Sequence, residues 1–173
     1  MKESLSLYLL SILFFCCIGF SISCASESSN PFGLKENKIS YTLSRGTERT
    51  YTSNASLIED NGKYTLKIKG AIKSDGIIIT IKNVEPFKPK KYIFYKDVSI
   101  ILNDKTGDEL MIYVSTGCKE NKGIFEIVEW NKNTSTISGV FSGPVCTRGI
   151  FAHLPSTVIE EGSFYKIKYN DEQ

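Results

Sequence analysis

Apolar and polar residues alternate along most of the chain after residue 37, which is the period of a β-strand. Tyr64, Leu66 and Ile68 face one way, and the intervening polar residues face the other. The β-branched run at 77–81 has no such alternation and suits a central strand that is buried on both faces. Strands are predicted at 39–44, 50–58, 64–69, 77–81, 92–95, 98–102, 110–115, 118–130, 134–146, 150–154 and 162–169.

Turn chemistry separates these segments. Asn61-Gly62 predicts a hairpin, because both residues tolerate positive φ. Pro86 and Pro89 cannot continue a ladder and indicate a crossing loop or an edge. The segment 104–107 predicts a type I turn followed by a glycine bulge, and 170–173 is expected to fray.

Helical periodicity is nearly absent beyond the N-terminal segment. Closely spaced strands joined by short turns indicate an all-β fold, an antiparallel meander of about ten strands that forms a sandwich or an up-and-down barrel. The predicted β domain is 38–173, which is one domain by length.

The hairpin at 118–146 suggests a disulfide. If Trp130 faces Thr134 across a three-residue turn, Cys118 lies opposite Cys146 on the other strand. Of the five cysteines, two lie in the predicted signal segment and Cys24 is assigned to a lipid, so Cys118 and Cys146 remain as an even pair in an oxidising compartment. Two buried free thiols remain the alternative, since a one-residue slip or a bulge changes the register.

The same register places aromatic rings over glycines. Phe125 faces Gly139, and Phe141 faces Gly123. We therefore expect these two rings to cover the positions that lack a side chain, with the cysteines on the opposite face of the hairpin.

The N-terminus predicts a secretory signal peptide at 1–23. Lys2 is basic, 5–20 is almost wholly apolar, and the small residues Ser21 and Ser23 precede Cys24. The apolar run is short for a membrane span, although a retained anchor helix is the alternative.

Cys24 itself suggests an anchor. Its setting after an apolar stretch and a small residue resembles the lipobox of bacterial lipoproteins, although Ser21 stands where Leu is usual. The resemblance implies palmitate-type lipidation of Cys24, a flexible tether at 24–37 and attachment to the outer membrane, on its periplasmic or cell-surface face. Ordinary cleavage with a free thiol at Cys24 is the alternative.

Charge and chemistry exclude several function classes. A net charge of +2 is too small for a nucleic-acid partner, and the basic run 88–91 is read as a solvated loop. His153 is the only histidine and has no nucleophile motif beside it, so no catalytic residue, metal site or cofactor is predicted. The carboxylate pairs at 108–109, 126/129 and 160–161 do not converge locally, and a weak Ca²⁺ site at Asp104 and Asp108 is less favoured than a simple turn.

The segments 123–142 and 159–164 resemble small uncharacterised lipoproteins of Bacteroidetes-type bacteria. Their shared pattern is Gly-x-Phe-x-Ile, a polar Asn turn, Ile-Ser-Gly-x-Phe and a final Ile-x-x-Gly-x-Phe strand. This chain departs from the pattern at 90–92, where a glycine before the tyrosine is common, and in its cysteine pair. The resemblance implies an all-β fold and an envelope location, but no activity.

Aromatic residues supply the one suggestion of a ligand site. Tyr92, Phe94 and Tyr95 place rings on both faces of a short strand, so at least one is expected at the surface, and Trp130 is a further candidate. Core packing is the alternative role for all four.

The sequence therefore predicts a lipid-anchored, non-enzymatic binding module of the cell envelope. Its expected partners are the membrane, through the lipid, and an envelope protein or a glycan. A lipocalin-like carrier of a small apolar ligand or glycan is the alternative, and an enzyme is the least favoured class.

Overall fold

A computed structural model describes residues 30–44, 46–94, 96–106, 109–118, 123–147 and 157–172. The described part contains ten strands: β1 (Lys38–Leu43), β2 (Thr47–Asp60), β3 (Lys63–Ile72), β4 (Asp75–Val84), β5 (Lys90–Ile93), β6 (Val98–Thr106), β7 (Glu109–Val114), β8 (Ile124–Asn131), β9 (Thr136–Thr147) and β10 (Thr157–Glu172). One turn of 3₁₀ helix follows β7. Within these residues, no helix has the length and apolarity needed to cross a bilayer.

The strands form one sheet, which confirms the predicted all-β class. Eight of them close into a ring in the order β1, β2, β3, β4, β6, β7, β9, β10. Most neighbours are consecutive in sequence and antiparallel, as in a meander. β5 departs from this order, because it leaves β4 across the proline loop and pairs with β8 at the end of the sheet.

β10 closes the ring. It pairs antiparallel with β9 and β1, and its last residues pair in parallel with β2, from Tyr169 opposite Ala55 to Glu172 opposite Ile58. The prediction that 170–173 frays is therefore wrong as far as Glu172. The end of β10 is paired because β1 is short and leaves the second half of β2 free on that side.

β7 and β8 lie end to end beside β9. Val114 of β7 is opposite Cys146, while β8 pairs further back along β9. Cys118 follows the 3₁₀ turn between the two strands and is bonded to Cys146, with 5.4 Å between the Cα atoms. The predicted pairing is confirmed, but it joins the β7–β8 connection to β9 rather than opposing positions of one hairpin.

The predicted register of β8 and β9 is wrong. The structure places Asn131 opposite Thr136 and Trp130 opposite Ile137, so the turn has four residues, at 132–135. The Asn131 side-chain oxygen accepts hydrogen bonds from the backbone N–H groups of Asn133 and Thr134, at 3.0 and 3.2 Å. This Asx-type cap stabilises the longer turn.

A β-bulge at Val128 separates two registers in this hairpin. Beyond it, Ile127 is opposite Gly139 and Phe125 is opposite Phe141. Because the bulge adds one residue that points outward, Phe125 and Ile127 stay on the inner face.

Aromatic rings do cover glycines, but the rings are not the predicted ones. A Cβ atom at Gly139 would overlap the Phe164 ring of β10 and the Glu126 carbonyl oxygen, and one at Gly123 would overlap the Phe94 ring. Rings from neighbouring strands therefore fill the space over each glycine.

The turn predictions have mixed outcomes. Asn61 and Gly62 have φ of 51° and 74°, which confirms the β2–β3 hairpin. The turn predicted at 104–107 is wrong, because β6 continues to Thr106 and pairs there with Glu109. Asp104 is a strand residue held by an ion pair to β2. The strand predicted at 150–154 lies outside the described residues.

The interior of the ring is filled by apolar side chains. Among the described residues, most of the buried apolar side chains form a single cluster. Phe125 lies at its centre, with its ring stacked on Phe164 at 5.3 Å and on Phe141 at 6.2 Å between centroids. The largest fully buried side chains are Tyr41, Tyr51, Phe94, Phe125, Phe164, Ile39, Leu66, Ile68, Ile77, Ile79, Ile81 and Ile100.

Candidate functional site

The aromatic residues singled out from the sequence lie mainly inside the fold. Tyr92, Phe94 and Trp130 are buried, so none of these three rings is the exposed one that was expected, and Tyr95 lies outside the described residues. The Tyr92 hydroxyl accepts a 3.3 Å hydrogen bond from the Glu85 backbone N–H, and burial raises the pKa of this phenol. Cys24, the predicted lipidation site, also lies outside the described residues.

Aliphatic side chains form the exposed apolar surface of the neighbouring strands. Ile93 of β5 lies opposite Ile124 of β8, and the two are 54% and 48% exposed. Val128 at the bulge and Val140 of β9 are exposed nearby. We call these four residues the outer aliphatic patch. The pattern alone missed it, because these positions read as ordinary members of buried strands.

An ion pair lies within the patch, because Glu126 stands between Ile124 and Val128 on β8. The Lys91 ammonium lies 3.3 Å from the Glu126 carboxylate, and Glu126 is opposite Val140 across the β8–β9 pair. β5 is the last strand of the sheet, so one edge of it has no neighbouring strand in the described part of the chain. The patch therefore combines exposed methyl groups, a charge pair and a short strand edge.

A second cluster lies where β4 ends. The Trp130 ring contacts Phe87 of the β4–β5 loop at 5.7 Å and Tyr169 of β10 at 5.9 Å, both edge-on. The Lys132 ammonium is 4.9 Å from the Phe87 ring centre. We call Phe87, Trp130 and Tyr169 the terminal aromatic cluster.

A polar network lies at the opposite end of β4, where that strand begins. The Arg49 guanidinium is 2.9 Å from Asp104 and 4.0 Å from Asp75. The Tyr51 hydroxyl donates to Asp75 at 3.0 Å and lies 3.5 Å from the Tyr41 hydroxyl. Because the Tyr51 proton is directed at Asp75, Tyr41 is the donor in the contact between the two phenols.

Burial makes both phenols weaker acids. It raises the pKa of Tyr41 to about 12 and also raises that of Tyr51. The hydrogen bond to Asp104 raises the pKa of Arg49. Both phenols are therefore protonated at neutral pH, and the two carboxylates face a fixed cation. This arrangement supplies a structural tie between β2, β4 and β6 rather than a free acid and base.

Sequence reasoning did not anticipate this network. Arg49, Asp75 and Asp104 come from three strands, and only the β2–β3–β4–β6 pairing brings them together. No local spacing signals such a contact. In the described part of the chain, no group of three metal-ligand side chains occurs. Asp108 and His153 lie outside it.

No protein-family model, curated protein or solved structure matches this chain significantly.

Proposed function

We propose that this protein is a lipid-anchored, non-enzymatic interaction module of the bacterial cell envelope, which binds another envelope protein through the outer aliphatic patch. The observation that carries the proposal is an exposed aliphatic surface on a closed ring whose interior is already occupied. Exposed apolar patches mark contact surfaces in many proteins.

The packed interior favours this function over the carrier. A carrier of the lipocalin type needs internal volume for its ligand. Here the Phe125 ring is stacked on Phe141 and Phe164, and these buried rings belong to one core cluster with aliphatic side chains of β3, β4 and β6. A ligand inside the ring would have to displace these rings.

The chemistry of the patch favours a protein over a glycan as its partner. Ile93, Ile124, Val128 and Val140 have no ring on which a sugar can stack, whereas aliphatic side chains pack well against another apolar protein surface. The Lys91–Glu126 pair within the patch supplies one charge of each sign, which would fix the orientation of a bound protein.

The envelope location is supported by the N-terminus and the disulfide. An apolar segment at 5–20 precedes Cys24, and the Cys118–Cys146 bond suits an oxidising compartment. Lipid on Cys24 would hold the domain beside the membrane and leave the outer aliphatic patch free for a partner.

Site-specific photo-crosslinking tests the interaction. A photoreactive residue at Ile93, in cells, should give an adduct of defined mass, and Ile124→Asp should abolish it. Val158 is the matched control, because it is also an exposed aliphatic residue on an outer strand face. Equal crosslinking at Val158, or no adduct at Ile93, would contradict the proposal.

Metabolic labelling with a palmitate analogue tests the anchor independently. The wild-type chain should incorporate the label and fractionate with the outer membrane, whereas Cys24→Ser should be unlabelled and released. A labelled Cys24→Ser protein, or an unlabelled wild-type protein, would rule out lipidation at Cys24.

A further inference from the structure

The single tryptophan carries an unsatisfied hydrogen-bond donor. Trp130 is 8% exposed, and its indole N–H is buried without an acceptor among the residues that the structure describes. Buried indole N–H groups usually have a partner, because removing the donor from water without a new acceptor costs free energy. A bound molecule with an oxygen acceptor would satisfy this donor.

Phe87 covers the indole in a strained conformation. Its φ is 63°, in the left-handed region that non-glycine residues rarely adopt. Phe87 is 38% exposed, and its ring contacts the Trp130 ring at a steep interplanar angle and the Lys132 ammonium. A weakly held, strained side chain over an unsatisfied donor is suited to displacement.

The two ends of the β4–β5 loop are held by a hydrogen bond and an ion pair, and its tip at 86–88 is not. The Glu85 backbone is hydrogen-bonded to Tyr92, and the Glu85 carboxylate is paired with Lys90. Only 86–88 needs to move to uncover Trp130. Pro86 and Pro89 restrict the backbone on either side, so the displacement is local.

The elements that carry the cluster bear both ammonium groups and carboxylates, among them Glu85 of the β4–β5 loop and Glu129 of β8. Lys88 in the loop and Lys132 in the β8–β9 turn form no salt bridge with a carboxylate in the described part of the chain, whereas Lys90 is neutralised by Glu85. An anionic group on the ligand would therefore meet an unpaired ammonium group here.

We propose that the terminal aromatic cluster is a binding site for an acidic saccharide, which opens when Phe87 is displaced. A C–H group of the sugar packs against Trp130 in the place of the Phe87 ring, and the indole N–H donates to a sugar oxygen. Lys132, released from the Phe87 ring, binds the carboxylate. This site is separate from the outer aliphatic patch and does not depend on it.

The lone tryptophan makes the site directly measurable. The mature chain with Cys24→Ser would be titrated with trigalacturonic acid, with intrinsic fluorescence and the single indole N–H resonance as readouts. We expect a saturable shift of both signals, and binding of neutral maltotriose that is weaker by about tenfold or more.

Variants separate the three parts of the site. Phe87→Ala should tighten binding severalfold, because the ring that covers the indole is removed. Lys132→Gln should weaken binding of the acidic saccharide by about tenfold and leave binding of maltotriose unchanged. Trp130→Phe keeps an aromatic ring but loses the N–H donor, so its affinity for the acidic saccharide should fall by about tenfold. Calorimetry measures the affinity of this variant, because it lacks the fluorescent indole. Lys69→Gln on β3 is the control and should bind as the wild type does.

Several results would overturn the site. They are the absence of saturable binding in both the wild type and Phe87→Ala, binding unchanged by Lys132→Gln and Trp130→Phe, or binding of adenosine monophosphate in preference to the saccharide. Phe87 lies in the β4–β5 loop at the surface, so the Phe87→Ala variant is expected to fold as the wild type does. Failure of this site would leave the crosslinking result at Ile93 unaffected.

Discussion

At the residue scale, glycines and aromatic rings determine how closely the strands of this ring approach. Gly139 lies under the Phe164 ring, Gly162 lies under Phe141, and Gly123 lies under Phe94. A ring thereby occupies the volume of the missing side chain, which keeps the packing dense at these three positions.

Gly139→Ala should destabilise the fold by about 2–3 kcal/mol, because the new methyl group overlaps the Phe164 ring and the Glu126 carbonyl oxygen. Gly62→Ala is the control: it has φ of 74° but open space around it, so only the backbone cost of about 1 kcal/mol applies. Urea denaturation of both variants measures the difference. Equal losses would show that steric overlap does not decide the effect.

Tyr41 should make the protein less stable at high pH. Its pKa rises from 10.0 in the unfolded chain to about 12 in the fold, so the folded state binds the proton more tightly. This contribution is complete below pH 10.0, is lost as the pH rises through about 12, and amounts to roughly 2–3 kcal/mol. Denaturation midpoints of the wild type and Tyr41→Phe should converge across that window. A constant difference would contradict the assigned pKa.

At the element scale, the bulge in β8 decides which residues enter the core. Val128 and Glu129 are both exposed, between the buried residues Ile127 and Trp130. Without the bulge, alternation along β8 could not place Ile127 and Trp130 on one face, because they are three positions apart.

Deletion of Val128 should therefore be tolerated, with a loss of no more than about 1 kcal/mol, because it restores strict alternation between Ile127 and Trp130. Deletion of Glu126 shortens β8 equally but forces Phe125 or Ile127 out of register, and should cost about 3 kcal/mol or more. Thermal unfolding of the two deletions is the comparison. Similar losses would mean that the bulge does not set the faces of β8.

The same hairpin illustrates where inference from the sequence ends. Its two strands, its polar turn and its cysteine pairing were predictable, because they follow from local alternation and from compartment. The register was not predictable, because it depends on the Asn131 cap and on a bulge that no single residue indicates. The disulfide was therefore predicted correctly from an incorrect alignment of Cys118 and Cys146.

The candidate sites were less predictable than the strands. Tyr92 and Phe94 carry the residue types of a binding surface, but both are buried: Tyr92 lies on β5 opposite Phe125 of β8, and the Phe94 ring, just after β5, lies over Gly123. The exposure of Ile93 and Ile124 follows from the same pairing. Which face of a short strand is buried depends on the strand beside it, and this neighbour is far away in sequence.

At the scale of the whole molecule, the C-terminal strand makes the fold a closed ring. β10 pairs with β9 and β1 along most of its length and with β2 at its end. Closure leaves the ring strands without a long free edge, which limits edge-to-edge association. The short β5 remains at the end of the sheet.

Removal of residues 170–173 should lower the unfolding free energy by about 1–3 kcal/mol, because it leaves backbone groups of Ser56, Leu57 and Ile58 without partners. Removal of Gln173 alone is the control and should have no effect. Amide hydrogen exchange at 56–58 should increase only in the longer truncation. Unchanged protection there would indicate that the end of β10 does not pair with β2 in solution.

The sequence by itself determined the strand class, the Asn61-Gly62 hairpin turn and the pairing of the two cysteines. These follow from interactions within a few residues and from the chemistry of Gly, Asn, Pro and Cys. Only the tertiary structure decided the β8–β9 register, the closure by β10, the Arg49–Asp104 contact and the terminal aromatic cluster. Each of these depends on which distant strands become neighbours, and the free energies that select among alternative neighbours are spread over the whole core.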